Sequence, residues 1–351
     1  MNNKIVIIEN SETTFNRLKE NLDQIGDVVV TFDEITDSLT THCRFRNISD
    51  LVAAKMKEYG KEIAVFIIDL QLSGDNTYGG IQIIKDIRNV SVNQVDDEYW
   101  RSIVPIIVCT QYPNYESKTK EAGANCLIRK IDKLEVAQDA IEIKPSWKTK
   151  LNKFLTNDFL PVVKKYNDWY CETIKKIENT PMSIRTASIK FFKENNDPDI
   201  RHAFVMTSFA KNYEKAIEQA LTEVQNKYFV KTYIANKAHG KNSDDLFDNV
   251  RGYMHCCDFG IGIYFCDPKT KTVNVNLSVE VGYMLGLGKR ICYLKDVNLE
   301  QLNTDLIAKI YTEYKKTRNS NSNGKKVPTM ENALIGWIEG VKGDLNIKLR
   351  E

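Results

Sequence analysis

No apolar run in this sequence reaches the roughly 18 residues that a membrane span needs. No charge dominates either: 49 Lys and Arg against 47 Asp and Glu leave a net +2. That gives no basic field to suggest nucleic acid. The second half has no helix-turn-helix signature and no basic recognition helix, which argues against transcriptional output. The opening "MNNKIVIIENSE" turns acidic too early for a secretory signal. The expectation is a mature cytoplasmic chain that begins here, with no membrane or nucleic-acid partner.

Paired cysteine motifs are missing as well. The eight cysteines are Cys43, Cys109, Cys126, Cys171, Cys256, Cys257, Cys266 and Cys292. None forms a CxxC or a Cys/His pair at zinc spacing, so buried free thiols are expected. His202, His239 and His255 have no Ser or Cys partner in a nucleophile motif. His202 and His255 read as packing or surface residues, and His239 as a loop residue bordering a cleft. "GYMLGLGKR" fails as a phosphate loop, because its glycines end a helix and no Ser or Thr follows the Lys.

What is present is ordinary globular material, 42% hydrophobic and 27% charged, long enough at 351 residues for two domains. Short β-branched runs at 4–8, 27–32, 63–69, 104–110 and 125–130 alternate with helical stretches at 12–24, 48–59, 79–89 and 115–122. The rhythm returns with strands at 203–207, 229–235, 259–265 and 290–294 and helices at 211–226, 243–256, 277–288 and 329–342. Such alternation implies parallel sheets covered on both faces. The expected fold is α/β, with two doubly wound parallel-sheet domains joined by a helical connector. The domains are 1–142, a connector at 143–198, and 199–351. The connector reads as amphipathic helix, interrupted or bent at Pro161, and its apolar side suits packing or homo-oligomerisation. "KKTRNSNSNGKK" (315–326) reads as a loop.

Open parallel sheets bind ligands beyond the carboxyl ends of their strands. Asp69, Thr110 and Lys130 each end or follow such a strand. A carboxylate, a hydroxyl and an ammonium at adjoining strand ends make a phosphoryl-acceptor site: one attacks, one bonds the product, one neutralises charge. "FIIDLQLSGDNTYGG", "PIIVCTQYPN" and "AGANCLIRK", in that order, resemble the response-regulator receiver family. The resemblance implies that Asp69 accepts phosphate from a histidine kinase or another phosphodonor, with Thr110 and Lys130 as switch residues. It also implies Mg²⁺ held by Glu9 and Asp69. Asn10 stands where the family has a second acid, Leu127 where it has an aromatic, and Ile131 where it has Pro. These departures weaken the metal site and leave a binding-only receiver as the alternative.

In "VNVNLSVEVGYMLGLGKR" (273–290) every residue from Leu277 to Gly288 is apolar, Gly, Ser or Tyr, except Glu280. Asn276 is the expected cap and Gly288 the expected left-handed stop. A helix apolar all round should be buried. Glu280 then either sits at the positive helix end as a local cap or faces a cleft that a cationic ligand enters. The residues alone leave both open.

The longer stretch "FCDPKTKTVNVNLSVEVGYMLGLGKRICYL", with "AFVMTSF" before it, resembles the TIR-like and nucleoside 2-deoxyribosyltransferase-like branch of flavodoxin-like domains over residues 200–340. The resemblance implies N-glycosidic chemistry on NAD or a related nucleotide, with Glu280 catalytic. Ser208, Phe209, Asp267, Asn274 and Asn276 would bind substrate. The implied whole is a signal-controlled NAD glycohydrolase of prokaryotic antiviral defence; a nucleotide-messenger sensor or an interaction module that turns nothing over is the alternative.

Overall fold

The computed structural model describes residues 3–40, 44–72, 79–89, 98–130, 149, 153–208, 210–234, 246–265, 274–299, 311–316 and 326–350. Phe209, His239 and Asp267 lie outside the described residues. The chain divides into two units, Met1–Lys175 and Lys176–Glu351. Residues expected in a connector are shared between them.

The first unit runs β1 (Lys4–Ile8), α1 (Glu12–Leu22), β2 (Asp27–Val28), α2 (Phe32–Thr40), α3 (Arg44–Tyr59), β3 (Ile63–Ile68), α4 (Gly79–Arg88), β4 (Ile106–Thr110), α5 (Glu116–Ala122) and β5 (Cys126–Arg129). A π-helical turn, Phe154–Phe159, then opens α6 (Leu160–Glu178). The strands form one parallel sheet in the order β2-β1-β3-β4-β5. "IAVFII" and "IIVCT" are buried at every position, as strands covered on both faces must be.

Strand β2 stops at Val28, short of the expected Phe32. The cause is a reciprocal cap: the Thr31 N–H donates to Glu34 Oε2 at 2.7 Å, and the Glu34 N–H donates to Thr31 Oγ1 at 3.2 Å. This starts helix α2 where strand was expected. The π turn lies just before Pro161, whose ring lacks an N–H and clashes with the turn preceding it. A widened turn relieves that clash while the helix continues. Helix α6 meets the amino-terminal edge of the sheet. Asn3 donates to Asn167, the Tyr170 hydroxyl to Lys61 O, and the Tyr166 hydroxyl to Asn125 O.

The second unit runs α7 (Met182–Glu194), β6 (Arg201–Thr207), α8 (Lys211–Lys227), β7 (Val230–Ile234), α9 (Leu246–Cys256), β8 (Phe259–Tyr264), α10 (Val275–Gly286), β9 (Arg290–Asp296), β10 (Thr312–Tyr314) and α11 (Met330–Val341). Its sheet is also parallel, ordered β7-β6-β8-β9-β10. Both units therefore share one winding, and each is a flavodoxin-like α/β domain. Helices α8 and α11 cover one sheet face through Ile217, Leu221, Val224, Leu334 and Ile338. On the other face α10 packs against β6, β8 and β9, and α7 packs against α9.

Two glycines of "FGIGIY" seat α10. A Cβ at Gly260 would lie 2.8 Å from Met206 Cε and 3.2 Å from Met284 Cε, and one at Gly262 would lie 3.5 Å from Val281 Cγ2. The helix is not buried all round, contrary to the sequence expectation. Leu277, Val281 and Met284 are buried, but Val275 is 70% and Val279 53% exposed. The cap is Asn274, not Asn276: its side chain accepts from the Asn276 N–H at 2.9 Å. Gly288 does adopt the left-handed conformation, at φ 69°.

Candidate functional sites

In a sheet of this winding the crevice opens at the carboxyl edge, where the chain reverses its direction of strand addition. In the first unit that point lies between β1 and β3, which pair Ile8 with Ile68. The next residues are Glu9 and Asp69, so the register itself sets two carboxylates side by side. Strands β4 and β5 pair Thr110 with Arg129, which brings Lys130 to the same edge.

The Lys130 ammonium lies 2.7 Å from Glu9 Oε2 and 2.8 Å from Asp69 Oδ2. All three groups are buried, with side chains no more than 5% exposed. Burial works to lower the Lys130 pKa, but the two facing carboxylates outweigh it and the value is raised. Glu9 is raised too, by burial first, although Lys130 and the Ser11 N–H at 3.0 Å pull it down. Both groups hold a proton more tightly for a shared reason. One ammonium between two carboxylates leaves a net negative charge in a buried site, and that charge favours an added proton. Thr110 is fully buried, and its hydroxyl accepts from the Tyr112 N–H at 3.3 Å. Gly80, at the start of α4, passes so close to the Asp69 carbonyl that no Cβ fits between them.

Two carboxylates side by side at one sheet edge suit a divalent cation such as Mg²⁺, which keeps several waters and takes one or two protein carboxylates. Asn10 is exposed and adds no ligand. Among the described residues no group of three or more His, Cys, Asp or Glu could hold a metal. Glu9 and Asp69 would therefore share the ion with water.

In the second unit the corresponding crevice lies between β6 and β8, which pair Thr207 with Ile263. Ser208 follows β6 at this edge, and α10 begins beyond the end of β8 with Asn274 as its cap. Glu280 lies on the side of α10 that it shares with Tyr283, one turn on. Tyr283 contacts α9: its oxygen accepts from Arg251 Nε at 3.1 Å and lies 2.8 Å from His255 Nε2. Glu280 is half-buried, and among the described residues no hydrogen bond or ion pair reaches its carboxyl group. Burial alone raises its pKa from 4.5 to about 7. A carboxyl in this condition can stabilise a positive charge that arrives beside it, because no charge among the described residues compensates it.

Other expected residues have settled partners. Asn274 spends its side-chain oxygen on the helix cap, and Asn276 is exposed. His202 is buried against Phe191 and Tyr233, with ring centroids 5.1 and 5.8 Å away. Burial lowers its pKa to about 4, so it is a packed neutral histidine. His255 is half-buried, and its Nε2 lies 2.8 Å from the Tyr283 oxygen. Its spacing to Tyr283, on a different element, gave the sequence no way to announce the pair.

No protein-family model matches the chain, and no curated protein matches it. Among solved structures, the neighbours of the N-terminal half are response-regulator receiver domains. The phosphorylated cyanobacterial phytochrome response regulator RcpA is 14% identical, with a TM-score of 0.29 over 49% of this chain and 96% of that one. The response regulatory domain of mrkE from Klebsiella pneumoniae is 12% identical, with a TM-score of 0.28 over 48% and 98%. The Mn²⁺-bound form of response regulator Rcp1 is 15% identical, with a TM-score of 0.26 over 44% and 93%.

Proposed function

We propose that this protein is a signal-controlled effector, with a phosphoryl-accepting first unit and a second unit that cleaves the N-glycosidic bond of NAD or a related nucleotide. The observation that carries the second part is the half-buried Glu280 carboxyl, without a partner among the described residues. Breaking the bond builds positive charge on the ribose, as in glycoside hydrolysis. An anionic Glu280 beside the anomeric carbon would stabilise that charge electrostatically or through a transient ester. Ser208, Phe209, Asp267, Asn274 and Asn276 are the proposed binding residues, and antiviral defence by NAD depletion is the proposed setting.

In the first unit Asp69 is the proposed phosphoacceptor. Its carboxylate oxygen attacks phosphorus and the donor's leaving group departs with the bonding electrons. Lys130, already 2.8 Å away, meets the added negative charge. Thr110 can turn its hydroxyl to a phosphoryl oxygen by giving up the Tyr112 N–H. A divalent cation held by Glu9 and Asp69 would neutralise part of the phosphoryl charge. The donor is a histidine kinase or a small acyl phosphate, and self-association through the amphipathic connector is the proposed output.

A nucleotide-sensing reading has one observation in its favour. With a pKa of about 7, part of the Glu280 population is neutral at physiological pH, and a neutral carboxyl can donate a hydrogen bond to a ligand. Incubation with NAD, with and without acetyl phosphate, tests the readings together. Product formation that is lost in Glu280→Gln supports cleavage. Tight binding with intact NAD recovered supports sensing.

A further inference from the structure

The apolar side of the connector, offered above to a second copy, is already engaged. Phe159, Val163, Tyr166 and Tyr170 recur at helical spacing, and each is no more than 8% exposed. Three hydrogen bonds tie the same stretch of helix to the first unit's sheet. The Tyr170 hydroxyl donates to Lys61 O at 3.1 Å, the Tyr166 hydroxyl to Asn125 O at 3.3 Å, and Asn3 Nδ2 to Asn167 Oδ1 at 3.2 Å. Asn3, Lys61 and Asn125 stand just before β1, β3 and β5, so α6 crosses the amino ends of three strands. All three bonds join neutral groups, so each contributes modestly and can be given up.

Asn125 also links this contact to the acid site. Strand β5 starts one residue after Asn125 and ends one residue before Lys130, whose ammonium holds Asp69 at 2.8 Å. At the end of α4, Arg88 Nη2 donates to Asn125 Oδ1 at 2.8 Å, and its other nitrogens donate to Gly123 O and Arg101 O. No carboxylate among the described residues meets that guanidinium. Burial lowers its pKa to about 10, and the nearby Tyr170 of α6 works in the opposite direction. Enclosing a cation with only neutral oxygens costs free energy, and undocking the helix that carries Tyr170 would relieve part of that cost.

We propose that α6 is an autoinhibitory strap: docked, it withholds from a second copy of this chain the face through which the two would pair. This rests on the reading of Asp69 as phosphoacceptor and of the connector as output. Undocking gives up the Tyr166, Tyr170 and Asn3 bonds and frees one apolar stripe at the alternating three- and four-residue spacing that helix pairing uses. The stripe carries no charge, so two identical copies of it meet without repulsion. A phosphoryl group on Asp69 draws on the Lys130 ammonium, and β5 carries that pull to Asn125, where the longest of the three bonds yields first.

The test is the dimer affinity of the full chain, read by sedimentation velocity with and without acetyl phosphate. The parent is compared with Tyr166→Phe/Tyr170→Phe and with Asn3→Ala. The double variant keeps both rings and loses two bonds made only in the docked state. At about fivefold for each lost bond, its released fraction rises about 25-fold, and dimer affinity rises by more, because both copies must release. Asn3→Ala leaves every residue of α6 unchanged and should raise the released fraction about fivefold. Both effects should persist when Asp69→Asn is added. Unchanged affinity in both variants would overturn the strap. So would a gain in the double variant alone, which would report only its more apolar surface. If the double variant does not fold, Asn3→Ala decides. Acetyl phosphate should tighten the dimer of the parent and leave Asp69→Asn as it was. Tighter dimers in the variants, beside a parent that acetyl phosphate does not alter, would support the strap and overturn its control by Asp69.

Discussion

Replacing Glu280 with Gln should stabilise the second unit above neutral pH, whatever ligand it takes. The folded chain holds the Glu280 proton more tightly than the unfolded chain, with a pKa of about 7 against 4.5. Stability from that proton is full below pH 4.5 and is lost as the pH rises through about 7. At about 1.4 kcal/mol for each tenfold change in acidity, full burial would cost about 3 kcal/mol at pH 8. Glu280 is only half-buried, and solvent screening reduces this to about 1–2 kcal/mol. Glutamine keeps the shape and cannot ionise. Thermal unfolding of both proteins should therefore coincide near pH 4.5 and separate as the pH rises. At pH 8 the variant should melt higher by about 2–8 °C for a unit of this size. His202 titrates in both proteins and cancels in the difference. Parallel curves across the whole range would mean that a counter-ion already compensates Glu280, and the case for its exposure to ligand would fall.

Three further outcomes follow from the packing. Lys130→Met leaves two buried carboxylates with no cation, which should destabilise the first unit by about 3–5 kcal/mol; added Mg²⁺ should recover part of the loss, read by thermal melting with and without the ion. Gly80→Ala drives a methyl group into the Asp69 carbonyl, so phosphate incorporation from acetyl phosphate, followed by intact mass, should drop sharply while Asp69→Asn abolishes it. The lowered His202 pKa, about 4 against 6.5, means its stabilising effect is present above pH 6.5 and is lost as the pH falls through about 4. His202→Phe should flatten that acid limb of the second unit's melting curve, and an unchanged limb would count against buried neutral histidine.

The buried strands were legible because a parallel sheet requires uninterrupted β-branched runs. Their ends were legible too: Asp69, Thr110 and Lys130 are polar residues placed where those runs stop. Strand β10 was missed because "TEY" carries no apolar run, and its place in the sheet comes from pairing with β9. Helix α2 was missed because "VVVT" has strand propensity that the Thr31–Glu34 cap overrides. Helix α7 was hidden in the connector, since its partner α9 lies far along the chain. The outward face of α10 misled for a different reason. Apolar composition shows what a helix can bury, and Val275 and Val279 are nevertheless exposed. Local sequence does reveal that Glu280 has no base within one turn. Only the fold reveals that none arrives from elsewhere among the described residues, or that Tyr283 meets His255.

The winding occurs twice in this chain, and each copy opens a crevice at the same topological position. The first crevice is furnished with an internal cation, so an incoming anion finds its attraction already engaged and must compete for it. Among the described residues, the second holds an acid with no such companion. A positively charged visitor would thus have to share two carboxylates with a resident ammonium at one opening and would find an unshared one at the other.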